Sequence, residues 1–307
     1  MHSPGQRGGR LRVVLFVSGG VVLASAAAVA SIPRLAPRDS GRAIVVPPAT
    51  ASARHRAATK TADPAPALRS LPTAASAPLC VLEIGDSLGI DLGDQLRTLL
   101  DANGMARTVV ASLGDSGLSN ISYYDWPAHL ATLLATVRPQ LVVVFIGAND
   151  DQGLSLDGAA SVPGTPAWVA GYAGRVDEVV SEATNAGARV VWVGMPPMAS
   201  PDLNAAMQLE DAIYQRETAA APGALYVPST PVLGNPSGFY EITGVDATGQ
   251  PVALRTPDGV HLTPTGAGLL AHTVIDAVDE RWHLALEPPP SSRPTTAGSG
   301  GTTRPLS

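Results

Sequence analysis

Six consecutive apolar residues at 141–146, LVVVFI, are followed without a spacer by Gly147-Ala-Asn-Asp150. A strand on an exposed sheet face alternates apolar and polar side chains, so an unbroken run of this kind is a strand covered on both faces. Cover on both faces requires helices above and below the sheet, and the flanking sequence supplies them. Further strand candidates lie at 79–84, 108–112, 188–193 and 225–227. Helical spacing predicts helices over 91–100, 127–137, 168–185, 201–219 and 264–282. In the first, Leu92, Leu96, Leu99 and Leu100 share a face, while the polar face of the fourth includes Glu210, Asp211 and Arg216. A Gly/Pro-rich loop is expected up to Pro166, and an irregular stretch with a small hairpin over 228–260. Strands that alternate with helices are joined by crossovers, which predicts an α/β fold: a three-layer α/β/α sandwich whose mostly parallel central sheet has about five strands.

The ends of the chain have a different chemistry. Residues 1–78 carry ten Lys/Arg against two Asp/Glu, whereas 79–287 carry eight Arg, no Lys and twenty-four Asp/Glu. The formal charge of −6 over 307 residues therefore conceals a basic arm and a strongly acidic middle. An acidic domain repels a phosphate backbone, so no nucleic-acid partner is expected. The one cysteine, Cys80, permits neither an intrachain disulfide nor a cysteine-rich metal site. Glycine patterns for phosphate or dinucleotide binding are missing too, and no cofactor or metal is expected.

Arg7, Arg10 and Arg12 stand at the head of an apolar stretch that runs to Ile32, and Ala28-Val-Ala30 resembles a cleavage site. Residues 1–32 are read as a signal peptide or membrane anchor, with the protein secreted or held on the extracytoplasmic side of the membrane. Arg34, Arg38 and Arg42 blunt the charge asymmetry, so both outcomes stay open. Residues 33–78 read as a Pro/Ala-rich spacer that sets distance from membrane or wall, 79–287 as the folded domain, and 288–307 as a Pro/Ser/Thr/Gly-rich tail.

Parallel sheets collect ligands at the carboxyl ends of their strands. Three polar, glycine-bearing segments begin there: Gly85–Ser87, Gly114–Ser116 and Gly147–Asp150. Ser87 lies where a buried strand turns into a helix, which suits an exposed nucleophile and equally suits a helix N-cap. Of the four histidines in the middle, His129, His272 and His283 fall on helices, while His261 lies in a loop three residues after Asp258. That carboxylate can accept the Nδ1 proton and leave Nε2 basic. Asn149 has an amide able to donate to a developing oxyanion, although an Asx turn explains it as well. Gly114 offers an unencumbered N–H or is an ordinary turn glycine.

Taken together, Gly85-Asp-Ser-Leu88, Gly114, Gly147-Ala-Asn-Asp150 and Asp258-Gly-Val-His261 resemble, in order and spacing, the motifs of the SGNH (GDSL-like) hydrolases. The resemblance covers residues 79–282, and Trp192-Val-Gly-Met-Pro-Pro-Met198 together with Asp86-Ser-Leu-Gly-Ile-Asp-Leu-Gly93 looks similar to an extracytoplasmic SGNH subgroup from actinobacteria. It implies Ser87 as nucleophile, His261 as general base and Asp258 as its orienting carboxylate. It also implies an oxyanion hole from the Ser87 N–H, the Gly114 N–H and the Asn149 amide, with Gly117 a rival for the glycine. Asp86 is expected to be structural.

The activity so implied is a serine esterase that removes acetyl or short acyl groups from an extracellular or cell-envelope glycan. The alternatives are an O-acyltransferase on envelope sugars and a nonenzymatic glycan-binding or scaffolding protein. Tyr123, Tyr124, Trp126 and Trp168 are expected to flank a sugar-sized opening, with at least one of them in the core, and Met195 and Met198 to line an acyl pocket or pack in a loop.

Overall fold

The computed structural model describes residues 67–71 and 78–286, apart from 103, 157, 158, 247 and 285. The stretches read as a signal or anchor and as a tail, and most of the one read as a spacer, lie outside the described residues. Among the described residues, no helix is long and apolar enough to cross a membrane.

The central sheet contains β1 (Leu79–Gly85), β2 (Ala106–Val110), β3 (Leu141–Phe145), β6 (Arg189–Val193) and β7 (Ala224–Val227). Their order is β2-β1-β3-β6-β7. Every adjacent pair is parallel, with Val81 opposite Leu141 and Val190 opposite Ala224 setting the register. Helix α1 (Ser87–Ala102) packs with α6 (Pro264–Trp282); α2 (Trp126–Val137), α3 (Pro166–Asn185) and α4 (Pro201–Ala220) form a second group. This is the expected sandwich, with β1 and β3 at its centre. All five residues of β3 are buried, as are Leu88, Leu92, Leu96 and Leu100 of α1, which packs on β2 and β1. Burial of each such side chain stabilises the fold by roughly 1.5–3 kcal/mol.

Local sequence fixes where the helices start. Thr165-Pro166, Ser200-Pro201 and Thr263-Pro264 open α3, α4 and α6, with the hydroxyl accepting the N–H of Trp168, Leu203 and Gly266. Asp125 caps α2 in the same way, through Ala128. Proline just inside the first turn adds a preset φ where no N–H is needed. α2 ends on Arg138 in the left-handed region, and Pro139 prevents its continuation.

Three features differ from the sequence reading. The loop before Pro166 contains an antiparallel hairpin, β4 (Leu154–Leu156) with β5 (Ala159–Ser161), anchored by buried Leu154. Glu210 is not on a solvated face of α4 but fully buried. Residues 67–71, inside the stretch read as spacer, lie along the domain: the Arg69 N–H and guanidinium donate to Gly187 and Ala186 carbonyls, and Gln140 and Arg189 donate to the carbonyls of Ser70 and Arg69. After β7 come a short helix α5 (Thr230–Leu233) and the expected hairpin, β8 (Thr243–Val245) with β9 (Pro251–Ala253).

Candidate active site

Ser87 is the first residue of α1 and follows β1 directly except for Asp86. The competing cap role falls to that neighbour, because Asp86 Oδ1 accepts the Leu88 N–H at 2.9 Å. Ser87 Oγ is thereby left for another partner, His261 Nε2 at 2.8 Å. On the other side of the ring, His261 Nδ1 lies 2.9 Å from Asp258 Oδ2. An ionised Asp258 can only accept, so Nδ1 carries the proton and Nε2 receives the serine O–H.

The two oxygens of Asp258 divide their work. Oδ2 holds the ring, while Oδ1 accepts the N–H groups of Val260 and His261 and the Thr256 hydroxyl. Desolvation alone would raise this carboxyl, but those bonds together outweigh it and hold Asp258 well below the usual carboxylate range. Gly259 completes the turn with φ +78, and a Cβ there would meet the Ala199 Cβ at 2.5 Å.

Sequence reasoning missed the clamp behind this loop. The buried Arg255 guanidinium donates to the carbonyls of Pro197 and Val260 and lies 3.5 Å from Met198 Sδ. Burial pulls its pKa down to about 10, so it remains a cation at neutral pH. Its only sequence signal was being one of few cations in an acidic domain.

The second and third segments are organised by two buried carboxylates. Asp86 Oδ2 accepts the N–H groups of Gly147 and Ala148, so one side chain caps α1 and ties it to the end of β3. Burial, resisted by these bonds, pushes the Asp86 carboxyl up to about 6. Asp150 accepts the N–H groups of Leu118 and Ser119 and the Tyr172 hydroxyl. Asn149 sits between these two anchors, and its Nδ2 donates to the Ser116 carbonyl at 2.9 Å. An amide has two hydrogens, so a second donor remains.

Gly114 and Gly117 differ sharply. A Cβ at Gly117 would fall 2.2 Å from Asp150 Oδ1, so packing accounts for that glycine; a Cβ at Gly114 would meet nothing within 4 Å. Among the described residues, neither the Ser87 N–H nor the Gly114 N–H makes a hydrogen bond.

Below Gly147 lies a polar network that the sequence did not reveal. The Tyr172 and Tyr214 hydroxyls are 2.7 Å apart, and Tyr214 also reaches the Ile146 carbonyl and Glu210 Oε2. Burial pushes the Glu210 carboxyl well above the usual carboxylate range. Gly147 has φ +148, and a Cβ there would stand 2.5 Å from the Tyr214 hydroxyl.

The expected aromatic rim is corrected in part. Trp126 and Trp168 are each 1% exposed, with their indole N–H groups bonded to Ser116 Oγ and the Gln152 carbonyl. Tyr124 stacks on His129 at 4.0 Å, which leaves Tyr123 as the exposed ring. Met195 and Met198 are both buried. His129 lies on α2, His272 on α6 and His283 at the left-handed cap of α6. Among the described residues, no cluster of His, Cys, Asp and Glu is arranged to hold a metal ion.

Several solved structures are similar in fold. An α/β hydrolase enzyme, LAE5, from the metagenome of Lake Arreo, Spain, is 17% identical over 64% of this chain and 93% of its own, with a TM-score of 0.47. The psychrotrophic esterase EstA from Pseudoalteromonas sp. is 15% identical over 66% of this chain and 98% of its own, at 0.46. A GDSL-like lipase from Bacteroides thetaiotaomicron is 16% identical over 66% and 88%, at 0.45. No curated protein sequence matches the chain. Residues 80–277 match the family model described as "Protein of unknown function (DUF459)". That match runs from β1 into α6 and takes in Ser87, Asn149, Asp258 and His261, and on that extent the chain belongs to the DUF459 family.

Proposed function

We propose that the protein is a serine ester hydrolase in which Ser87, His261 and Asp258 perform the chemistry. The observation that carries this reading is the continuous relay from Ser87 Oγ through the His261 ring to Asp258 Oδ2, at 2.8 and 2.9 Å. Ser87 Oγ attacks the ester carbonyl carbon as its proton passes to His261 Nε2, and the carbonyl π pair moves onto oxygen. Asp258 accepts from Nδ1 throughout and stabilises the imidazolium. Collapse of the tetrahedral intermediate expels the alkoxide, which takes the proton from Nε2 and leaves acyl-Ser87. Water repeats the sequence and releases the carboxylic acid.

The negative oxygen needs donors fixed in advance, and losing one such donor costs about 3 kcal/mol in related chemistry. The Ser87 N–H, the Gly114 N–H and the second Asn149 amide hydrogen are assigned to it. Their free valence supports the assignment, as does the double anchoring of Asn149 between Asp86 and Asp150.

The substrate is assigned as an ester of an acetyl or short acyl group on an extracellular or cell-envelope glycan, acted on by a domain spanning 79–287 that is exported through residues 1–32. The basic-then-apolar amino terminus supports the location, and exposed Tyr123 offers a ring for a sugar face.

The test uses the purified full chain and Ser87→Ala on acetyl, butyryl and longer acyl esters and on O-acetylated wall glycan. Wild-type turnover is expected to exceed that of the variant by orders of magnitude, with acetate released from the glycan. Equal rates in the two proteins refute the nucleophile assignment. Cleavage of lipid esters without acetate release from glycan refutes the substrate.

A further inference from the structure

We propose that Asp91 is a positioning residue for the Ser87–His261 pair, docking the histidine loop onto the helix that carries the nucleophile. The proposal rests on the esterase reading above for its catalytic consequence, but its structural content stands apart.

Residues 87 and 91 are one helical turn apart and share a face of α1. Asp91 is half-buried there, and its Oδ2 accepts the N–H of Leu262 at 3.0 Å. Leu262 is the residue after His261, so this bond holds the peptide that joins the histidine to α6. The other bonds of the loop point elsewhere. Asp258 and Thr256 tie it to itself, Arg255 and the Ala199 N–H tie it to the segment after β6, and Thr263 ties it to the end of β9. Among the described residues, only Asp91 hydrogen-bonds the loop to α1 besides the Ser87–His261 contact itself, while α6 beyond the loop packs on α1.

The Ser87–His261 distance is therefore set between two bodies, α1 on one side and the loop with its Arg255 clamp on the other. A hydrogen bond between two mobile polar groups is a weak fastener for such a joint, and the contact is broken and remade in every turnover as the proton moves. A separate bond one turn away keeps the geometry while that happens. Burial pushes the Asp91 carboxyl above its ordinary value, and the Leu262 N–H bond opposes that rise. The neighbouring charges on the same side are Asp258, Asp94 and Arg255.

A misplacement of about 1 Å can cost on the order of 10²-fold in rate without weakening substrate binding. The experiment compares wild type, Asp91→Ala, Asp91→Asn and, as a control, the exposed Asp94→Asn. Steady-state hydrolysis of p-nitrophenyl acetate is measured alongside ¹⁵N NMR of the His261 ring. In Asp91→Ala, kcat is expected to fall roughly 10- to 100-fold with KM little changed, and the Nε2 resonance to move toward that of an imidazole no longer bonded to Ser87. Asp91→Asn, whose amide oxygen can still accept the Leu262 N–H, should recover most of both, and Asp94→Asn should match wild type. An unchanged ring spectrum in Asp91→Ala overturns the proposal whether or not the protein hydrolyses the ester. So does an equal kcat loss in the alanine and asparagine variants. An inert wild type with the expected spectral changes overturns the esterase reading alone.

Discussion

Asp86 and Gly147, 61 positions apart, are joined by a 2.9 Å hydrogen bond from the glycine N–H to the carboxylate. Asp86 also accepts the N–H groups of Ala148 and Leu88, so three backbone donors converge on one buried side chain. An unsatisfied buried donor costs about 1–3 kcal/mol. Asp86→Ala is therefore expected to lower stability by roughly 3–5 kcal/mol at neutral pH, and Asp86→Asn by less, since one carbonyl oxygen remains. Urea unfolding followed by tryptophan fluorescence measures the loss. A change below about 1 kcal/mol would show that the two segments hold together without this clamp.

Acidity of the buried carboxyls gives the fold a pH dependence whose sign can be worked out. Burial pushes Asp211 up to about 7 and Asp86 up to about 6, against an ordinary value of about 3.9 in the unfolded chain. Between those limits the folded state binds more protons than the unfolded state. The stability so gained is complete below the unfolded value and is lost as pH rises through the folded one. Asp258 acts in the opposite sense, but its window lies at more acidic pH. The urea midpoint is thus expected to fall between pH 5 and pH 8. Asp211→Asn, which keeps an acceptor for the Met195 N–H at 2.7 Å, should flatten that slope. Parallel pH curves for the two proteins would remove Asp211 as a contributor.

Much of this arrangement was legible in local chemistry. The Thr-Pro and Ser-Pro pairs announce helix starts because cap and proline act within one turn, and the run at 141–146 announces a central strand because no exposed strand tolerates it. Ser87, Asn149 and His261 were each ambiguous alone; their order at strand ends pointed to one site. What remained hidden depends on contacts distant in sequence. Glu210 shares the polar face of α4 with Asp211 and Arg216 in the sequence, and its packing against Gly147 and Tyr214 places it in the interior. Arg255 and Asp91 could not be told from surface charges, since their partners are carbonyl and N–H groups that carry no sequence signal. Trp126 and Trp168 sit in loop-flanking positions that a substrate rim and a core share, and the bonds to Ser116 and Gln152 decide for the core.

With both tryptophans inside, the burden of sugar recognition under the proposed function falls on Tyr123. Its N–H is held by the carbonyl and side chain of Asn120, which fixes the backbone that presents the ring, and the residue is 54% exposed. Aromatic contacts of this kind are worth about 0.5–1.5 kcal/mol beyond area burial, a factor of roughly 2 to 12 in affinity. Because the ring lies on the loop after Gly114 rather than among the reacting groups, its loss should weaken ground-state and transition-state binding alike. Tyr123→Ala is accordingly expected to raise KM for an acetylated glycan by that factor, with kcat unchanged. Hydrolysis of p-nitrophenyl acetate, which presents no sugar, should not respond. Equal losses on both substrates would place Tyr123 in the support of the Gly114 loop instead, and no loss on either would remove Tyr123 from sugar recognition.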